Sequence, residues 1–257
     1  MLSHITPVLL TRDEEPNIAR TLSCLTWAKD IVIVDSGSND RTVVIAREFP
    51  QVRVFERSFD SHANQWRYAV EQTGIKTKWL LRLDADYQVT QALVREISNL
   101  DPDIGVDAYR IGFDYAIHGH RLVASLYPSN TVLLRPNRFT VVDRGHTEKW
   151  LVEGPVGTLN SRIVHDDRKP LEGWISSQSR YMAKELMLLD GDKGSMVNWL
   201  RRHPPLMPIL TFFYCLFVKG LILNGRAGIF YALQRAVAEA TLSLMILERR
   251  LKLANLT

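Results

Sequence analysis

Asp84-Ala85-Asp86 offers two carboxylates one residue apart, directly after the apolar run Trp79-Leu80-Leu81-Arg82-Leu83. Oxygens so spaced can share a hard divalent cation, Mg²⁺ or Mn²⁺, which commonly recruits phosphate oxygens as further ligands. Such a cation would offset the negative charge that develops on a diphosphate leaving group. The tripeptide also fits a solvated, aspartate-rich turn. A second feature is Asp35-Ser36-Gly37-Ser38-Asn39-Asp40-Arg41-Thr42, which follows Ile31-Val32-Ile33-Val34. A carboxylate there can accept from a pyrimidine N–H or a ribose hydroxyl, and Ser36, Gly37 and Ser38 allow close backbone approach. Read structurally, it is an ordinary turn with Asn39 or Asp40 as a helix cap.

Strand ends must present these groups. Ile5–Thr11, Ile31–Val34, Gln51–Phe55 and Trp79–Leu83 read as strands. Helical patterns follow at Asp13–Ile18, Thr42–Phe49, Ala63–Thr73 and Thr90–Leu100, the first opening on acids and Pro16. Strands alternating with helices predict an α/β fold with a mainly parallel sheet. Ligands in such sheets sit at the carboxyl ends of the strands. Those ends carry Thr11-Arg12-Asp13, Asp35-Ser36-Gly37-Ser38 and Asp84-Ala85-Asp86. Tyr109–Phe113, Thr131–Leu134, Phe139–Val142 and Thr158–Val164 read as further strands that complete the sheet and build an acceptor wall. Helices are expected over Leu171–Leu189, then, after a Gly191-Asp192-Lys193-Gly194 break, over Pro204–Leu223 and Ile229–Leu247. The expected domains are 1–195, catalytic, and 196–257, helical.

With 257 residues, 46% hydrophobic and 23% charged, the chain is globular rather than disordered, collagen-like or coiled-coil. Cys24 and Cys215 make neither a disulfide scaffold nor a metal spacing, which favours a reducing compartment. Met1–Leu10 turns polar too early for a signal peptide. After Asp192 the only acids are Glu239 and Glu248, against many lysines and arginines on the most apolar part of the chain. That pairing suggests an anionic membrane surface, with Leu206–Leu223 interfacial or re-entrant rather than spanning. Nucleic acid fits poorly, because the aromatic residues lie in aliphatic runs, not between basic ones. A helical subdomain packed on the sheet or on another subunit is the other reading.

Thr11-Arg12-Asp13-Glu14-Glu15-Pro16-Asn17-Ile18, Asp35–Thr42 and Leu83-Asp84-Ala85-Asp86 together resemble the inverting glycosyltransferases of family 2, which have the Rossmann-like GT-A fold. The resemblance covers roughly the first 100 residues. It implies a nucleotide-sugar donor, nucleotide contacts from Thr11, Glu14 and Asp35, and a divalent metal at Asp86 with help from Asp84. Two positions depart from the family pattern: Asp13 stands where asparagine is usual, and Arg67 where asparagine is frequent. Arg67 either contacts the diphosphate or is a surface helix residue. Arg144-Gly145-His146-Thr147-Glu148, Gly154-Pro155-Val156-Gly157 and Ile163–Lys169 look like a bacterial subgroup acting on envelope glycans, including lipopolysaccharide-core glucosyltransferase-like proteins.

An inverting transfer needs a base to take the acceptor proton. Glu148, placed in a Gly-His-x-Glu turn, Asp166 and Asp167 are the candidates, each of which also fits a surface ion pair. His165 is a candidate third metal ligand, as is His146; each also reads as a structural histidine. Arg168 and Lys169 either hold the diphosphate or an anionic acceptor, or form a solvated basic turn. Two rivals share parts of this pattern. A nucleotidyl- or phosphoryl-transfer enzyme would use the same metal logic, but no GxxxxGK loop occurs. A membrane-bound module that binds a nucleotide sugar without turnover would not need an intact Asp84-Ala85-Asp86.

Overall fold

The computed structural model describes residues 1–144, 147–191, 196–204 and 206–254. His146 and the Asp192-Lys193-Gly194 break therefore lie outside the described residues. The chain divides into two compact units: Met1–Gly119 with Leu126–Lys169, and His120–Ser125 with Pro170–Thr257.

In the first unit, β1 (Ile5–Thr11), β2 (Ile31–Asp35), β3 (Val52–Glu56) and β4 (Trp79–Asp84) pair in parallel in the order β3-β2-β1-β4. Beside β4 lies β8 (Asn130–Leu134), antiparallel, then β6 (Ala108–Ile117). β11 (Val156–His165) runs parallel to β6, and the edge strand β5 (Tyr87–Val89) runs antiparallel to β11. Helices α1 (Ile18–Ser23), α2 (Thr42–Arg47), α3 (His62–Glu71) and α4 (Gln91–Ser98) fill the crossovers. β9 (Phe139–Arg144) and β10 (Thr147–Val152) form a separate two-stranded antiparallel sheet. The expected mainly parallel sheet flanked by helices is therefore present.

The apolar runs are continuous because both sheet faces are covered. Side chains alternate across the strands. Leu9, Ile33, Leu81 and Leu83 enter one core, with Ile18 and Leu22 of α1 and Leu93 and Ile97 of α4. Val8, Val32, Val34 and Leu80 enter the other, beneath Trp66 of α3. Ser61 and Thr90 cap α3 and α4 by accepting from Asn64 and Leu93 N–H at 3.2 Å.

Two local expectations need correction, and one short strand was not anticipated. The first helix begins at Ile18, not at Asp13, because Glu14–Asn17 form a turn in which Ile18 N–H reaches Glu14 O at 2.9 Å. β5 follows the Asp84–Asp86 turn at once, as a three-residue edge too short to announce itself by pattern. Glu148 lies on strand β10, opposite Asp143, not in a turn.

The second unit holds β7 (His120–Arg121) and the helices α5 (Leu171–Gly191), α6 (Met196–Arg201), α7 (Leu206–Phe213) and α8 (Gly225–Ala254). α7 passes into a π-helical turn, Tyr214–Val218, and a 3₁₀ turn, Leu221–Asn224, precedes α8. The helix expected over 204–223 is thus broken at Lys219–Gly220, where Gly220 takes φ 69°, a left-handed conformation that glycine adopts without steric cost. Gly228 lets the 3₁₀ turn lie directly on α8: a Cβ there would fall 1.8 Å from the Leu221 carbonyl oxygen. Tyr231, Ala232, Ala238, Leu242 and Ile246 bury one stripe of α8, and Arg201 pairs with Glu239 at 2.6 Å. The segment Leu221–Leu253 is long and apolar enough to cross a membrane by length and composition; Leu206–Val218 is shorter.

Candidate functional site

Strand register sets the site. β1 pairs Thr11 with Asp35 of β2 and Leu10 with Asp84 of β4, so the three polar strand ends finish at one level. Thr11 Oγ1 donates to Asp35 Oδ1 at 2.8 Å. Asp35 also accepts from Ser38 Oγ (2.6 Å) and from the N–H groups of Gly37 and Ser38 (3.0 and 2.8 Å), so its buried carboxylate shapes its own loop. Ser36 Oγ accepts from Gln65 Nε2 at 2.8 Å.

The two neighbouring loops are laced together. Asp13 N–H donates to Ser38 Oγ, Glu14 N–H to Thr42 Oγ1, Glu15 N–H to Asp40 Oδ2 and Asn39 N–H to Asp13 Oδ1, all within 2.7–2.9 Å. Asp13 has φ 52°, a left-handed conformation that Asn and Asp adopt more readily than other non-glycine residues. That explains why aspartate stands in for the asparagine usual at this position.

Glu14 is one of the partly buried residues of these loops. Its Oε1 accepts from Lys169 Nζ at 2.6 Å and its Oε2 from Asn17 Nδ2 at 2.9 Å. Burial pushes its pKa up to about 7, with Lys169 opposing and Asp86 adding to the rise.

His165 ends β11, and register places Tyr87 of β5 and Tyr115 of β6 on either side of it. Tyr87, Tyr115 and Tyr127 surround its ring with centroids 4.6–5.3 Å away, and the Tyr87 and Tyr127 hydroxyls meet at 2.5 Å. His165 Nε2 lies 2.9 Å from Asp86 Oδ2. Burial disfavours charge on both, yet their mutual attraction prevails: Asp86 is held below the usual carboxylate range and His165 is raised. Asp86 Oδ1 and His165 Nδ1 are buried without a hydrogen-bond partner among the described residues. The free Asp86 oxygen suits a divalent cation; while Nε2 meets Asp86, the Nδ1 of His165 points away from it, so the imidazole would reach the same cation only through Nε2, in place of that bond. Asp84 is exposed by surface area, yet desolvation by the surrounding protein, with Asp86 and Glu148, raises its pKa against the pull of Arg82. Among the described residues no three His, Cys, Asp or Glu side chains are already placed to hold a metal together, so substrate oxygens would have to complete the shell.

Glu148 Oε1 accepts from Arg82 NH1 and, at 3.2 Å, from Trp150 Nε1. Both bonds fall on Oε1. The Arg82 guanidinium lies 5.8 Å from the Trp66 ring centroid and 5.1 Å from that of Trp150.

Asp166 is differently occupied. It accepts from Arg20 NH1 (3.0 Å), Arg168 Nε and NH2 (2.9 and 2.8 Å) and Gly119 N–H (3.0 Å). Both Asp166 oxygens and the Arg168 guanidinium therefore serve this network. Removing one partner of a buried ion pair costs about 3–5 kcal/mol. Asp166→Ala should accordingly lower unfolding free energy by that order in a urea titration. A variant of wild-type stability that has lost activity would instead make Asp166 a reacting group. Asp167 Oδ1 accepts from Asn17 Nδ2 at 2.8 Å and from Lys169 N–H at 2.9 Å.

Arg67 does not join this group. It is exposed on α3, bonded to Asn64 Oδ1 at 2.8 Å, beside a shallow depression lined by Asn137, Phe139 and Thr140. Sequence reasoning missed Asn17, which is fully buried. It joins Glu14 and Asp167 through Nδ2, and Arg20 and the Arg168 N–H through Oδ1. It also missed Arg82 and the tyrosines around His165. An arginine inside an apolar strand was the available signal for Arg82, since a buried charge requires a partner.

Residues 7–142, just over half of the chain, match the family model described as Glycosyl transferase family 2. The lipopolysaccharide core biosynthesis glycosyltransferase LpsC of Rhizobium meliloti is 24% identical over 243 residues, covering 89% of this chain and 86% of LpsC. An uncharacterized glycosyltransferase of Rickettsia bellii is 28% identical over 106 residues, 41% of this chain; the match spans only 35% of that relative. The crystal structure of S. aureus TarS 1-349 in complex with UDP-GlcNAc superposes with a TM-score of 0.52 at 12% identity, covering 90% of both chains. At that identity the likeness is one of fold.

Proposed function

Because the chain belongs to glycosyltransferase family 2, we propose that it transfers a hexose, with inversion, from a UDP-sugar to a hydroxyl of a lipid-linked or lipopolysaccharide-type glycan. In this reading it uses Mn²⁺ or Mg²⁺ and works on the cytoplasmic face of the bacterial inner membrane. The observation that carries the proposal is the Asp86–His165 pair, 2.9 Å apart, with an unpartnered Asp86 oxygen at the polar strand ends. The UDP-GlcNAc bound by TarS favours a UDP-sugar donor, and the printed role of LpsC favours an envelope-glycan acceptor.

Asp86 and His165, with Asp84 beside them, would hold the cation, which when bound neutralises charge on the leaving diphosphate. Thr11, Glu14, Asp35 and Ser36 form the wall against which the nucleoside rests. Asp35 shapes that wall, and Glu14 is the carboxylate there that stays only partly covered. Arg168 and Lys169 act mainly by holding the loop, through Asp166 and Glu14. Glu148 is the base: its Oε2 takes the proton of the acceptor hydroxyl as that oxygen bonds to the anomeric carbon and the bond to the diphosphate breaks. Arg82 and Trp150 hold Oε1, which orients the carboxylate. The first unit performs this chemistry, and the second holds it at the lipid surface.

The test is incubation of the full chain with UDP-[¹⁴C]glucose, Mn²⁺ and truncated lipopolysaccharide or lipid extract. Label in the glycan with UDP released is the expected result. Release of labelled glucose 1-phosphate, with the uridylyl group passed to an acceptor, would mark a nucleotidyltransferase instead, and donor binding with neither transfer nor hydrolysis a non-catalytic module.

A further inference from the structure

The second unit has an apolar tip assembled from two distant parts of the chain. Val218 and Leu223 flank the Lys219–Gly220 break and are 71% and 81% exposed; Phe217 is 60% and Val123 62% exposed. Val123 joins them in space. Asn224 Oδ1 accepts its N–H at 3.0 Å, Asn224 Nδ2 donates to Arg121 O at 3.1 Å, and a Cβ at Gly220 would meet Val123 Cγ2 at 4.0 Å. The Gly220 reversal therefore projects large aliphatic and aromatic side chains together, as a built turn rather than as scattered surface residues.

We propose that this tip is a wedge that enters one leaflet of an anionic bilayer, with α8 not crossing it. The inference rests on the membrane part of the reading above and gives it a defined element. Charge complementarity selects the partner. Arg121, Lys219 and Arg226 lie in the segments that form the tip, and no Asp or Glu occurs within 120–125 or 193–238. Cations on an apolar wedge match anionic headgroups over acyl chains. Lys219 lies over the Tyr214 ring, 5.8 Å from its centroid, and an aromatic ring with a polar end suits the headgroup level. Length and pairing argue against a span. Leu206–Val218 is shorter than the roughly 20 residues a spanning helix needs. α8 is long enough, but Tyr231, Ala232, Ala238 and Leu242 are buried, and its Glu239 is tied to Arg201.

Flotation of the full chain with vesicles tests this. Phosphatidylglycerol–phosphatidylethanolamine vesicles should carry the protein at least tenfold better than phosphatidylcholine vesicles. F217E/L223E should reduce the bound fraction at least tenfold, and V123E severalfold. L251E, an exposed position on the last turns of α8, should leave it unchanged. Melting curves of the variants should match wild type, since every substituted side chain faces solvent. Wild-type flotation by F217E/L223E overturns the wedge and favours α8 as a span. Equal loss in L251E also overturns it. A wild-type dimer in sedimentation velocity that F217E/L223E dissociates, without vesicle binding, makes a second copy the occupant instead. Metal-dependent UDP-glucose hydrolysis, read in the same samples, should be unaffected by the tip variants. Its absence from wild type would sink the transferase reading while leaving the wedge to the flotation result.

Discussion

Asp86→Asn should abolish most sugar transfer while leaving the protein folded. A bound divalent cation supplies several kcal/mol of charge stabilisation in a transition state, and each ~1.4 kcal/mol is tenfold in rate. The expected loss in kcat/KM is therefore on the order of 10³-fold. Asparagine retains an oxygen that can meet the imidazole, so the pair with His165 is weakened rather than emptied. Stability should fall by only about 1 kcal/mol, the usual worth of one hydrogen bond. Asp86→Ala should lose as much activity and more stability, because it leaves the buried imidazole without its partner. Transfer rates across a Mn²⁺ series, with thermal melts beside them, separate the two effects. Wild-type turnover in Asp86→Asn would remove the cation from the scheme.

Glu148→Gln should lower kcat by roughly 10²–10⁴-fold, the range for losing a general base, with the donor KM unchanged. This variant carries a structural cost as well. Arg82 and Glu148 have side chains only 8% and 11% exposed, and an uncompensated buried charge costs about 3–5 kcal/mol. The double variant R82M/E148Q removes that charge and should regain much of the stability without regaining turnover. Stability and activity rising together would make Glu148 a strut for the β9–β10 pair. If Asp167→Asn stops transfer and Glu148→Gln does not, Asp167 is the base.

Much of this arrangement was readable from local pattern. Continuous apolar runs such as Ile31–Val34 located the central strands, and the polar residues directly after them finish at one level. The spacing of Asp84 and Asp86 and the place of His165 after Ile163-Val164 pointed to the pair that the fold brings together. What sequence could not supply was partnership across long separations. Asp166 looked available as a base, yet Arg20, from the first helix, fills one side of it. Asn17 read as part of a helix opening and is the junction of two loops. Glu148 was misplaced in a turn because alternation in Thr147–Val152 is masked by Leu151, which is exposed while Trp150 and Val152 pack on the core. Had Glu148, Trp150 and Val152 been read as one face, the carboxylate would have been seen pointing inward and needing a cation.

The lacing of the first two loops has a thermodynamic corollary. Asp13, Ser38, Asp40 and Thr42 fasten the proposed nucleoside wall from within the protein, so little chain freedom would be left for a donor to quench on arrival. Titration calorimetry with UDP should record a small unfavourable entropy, and capture should approach the pace set by diffusion and charge steering rather than by loop folding.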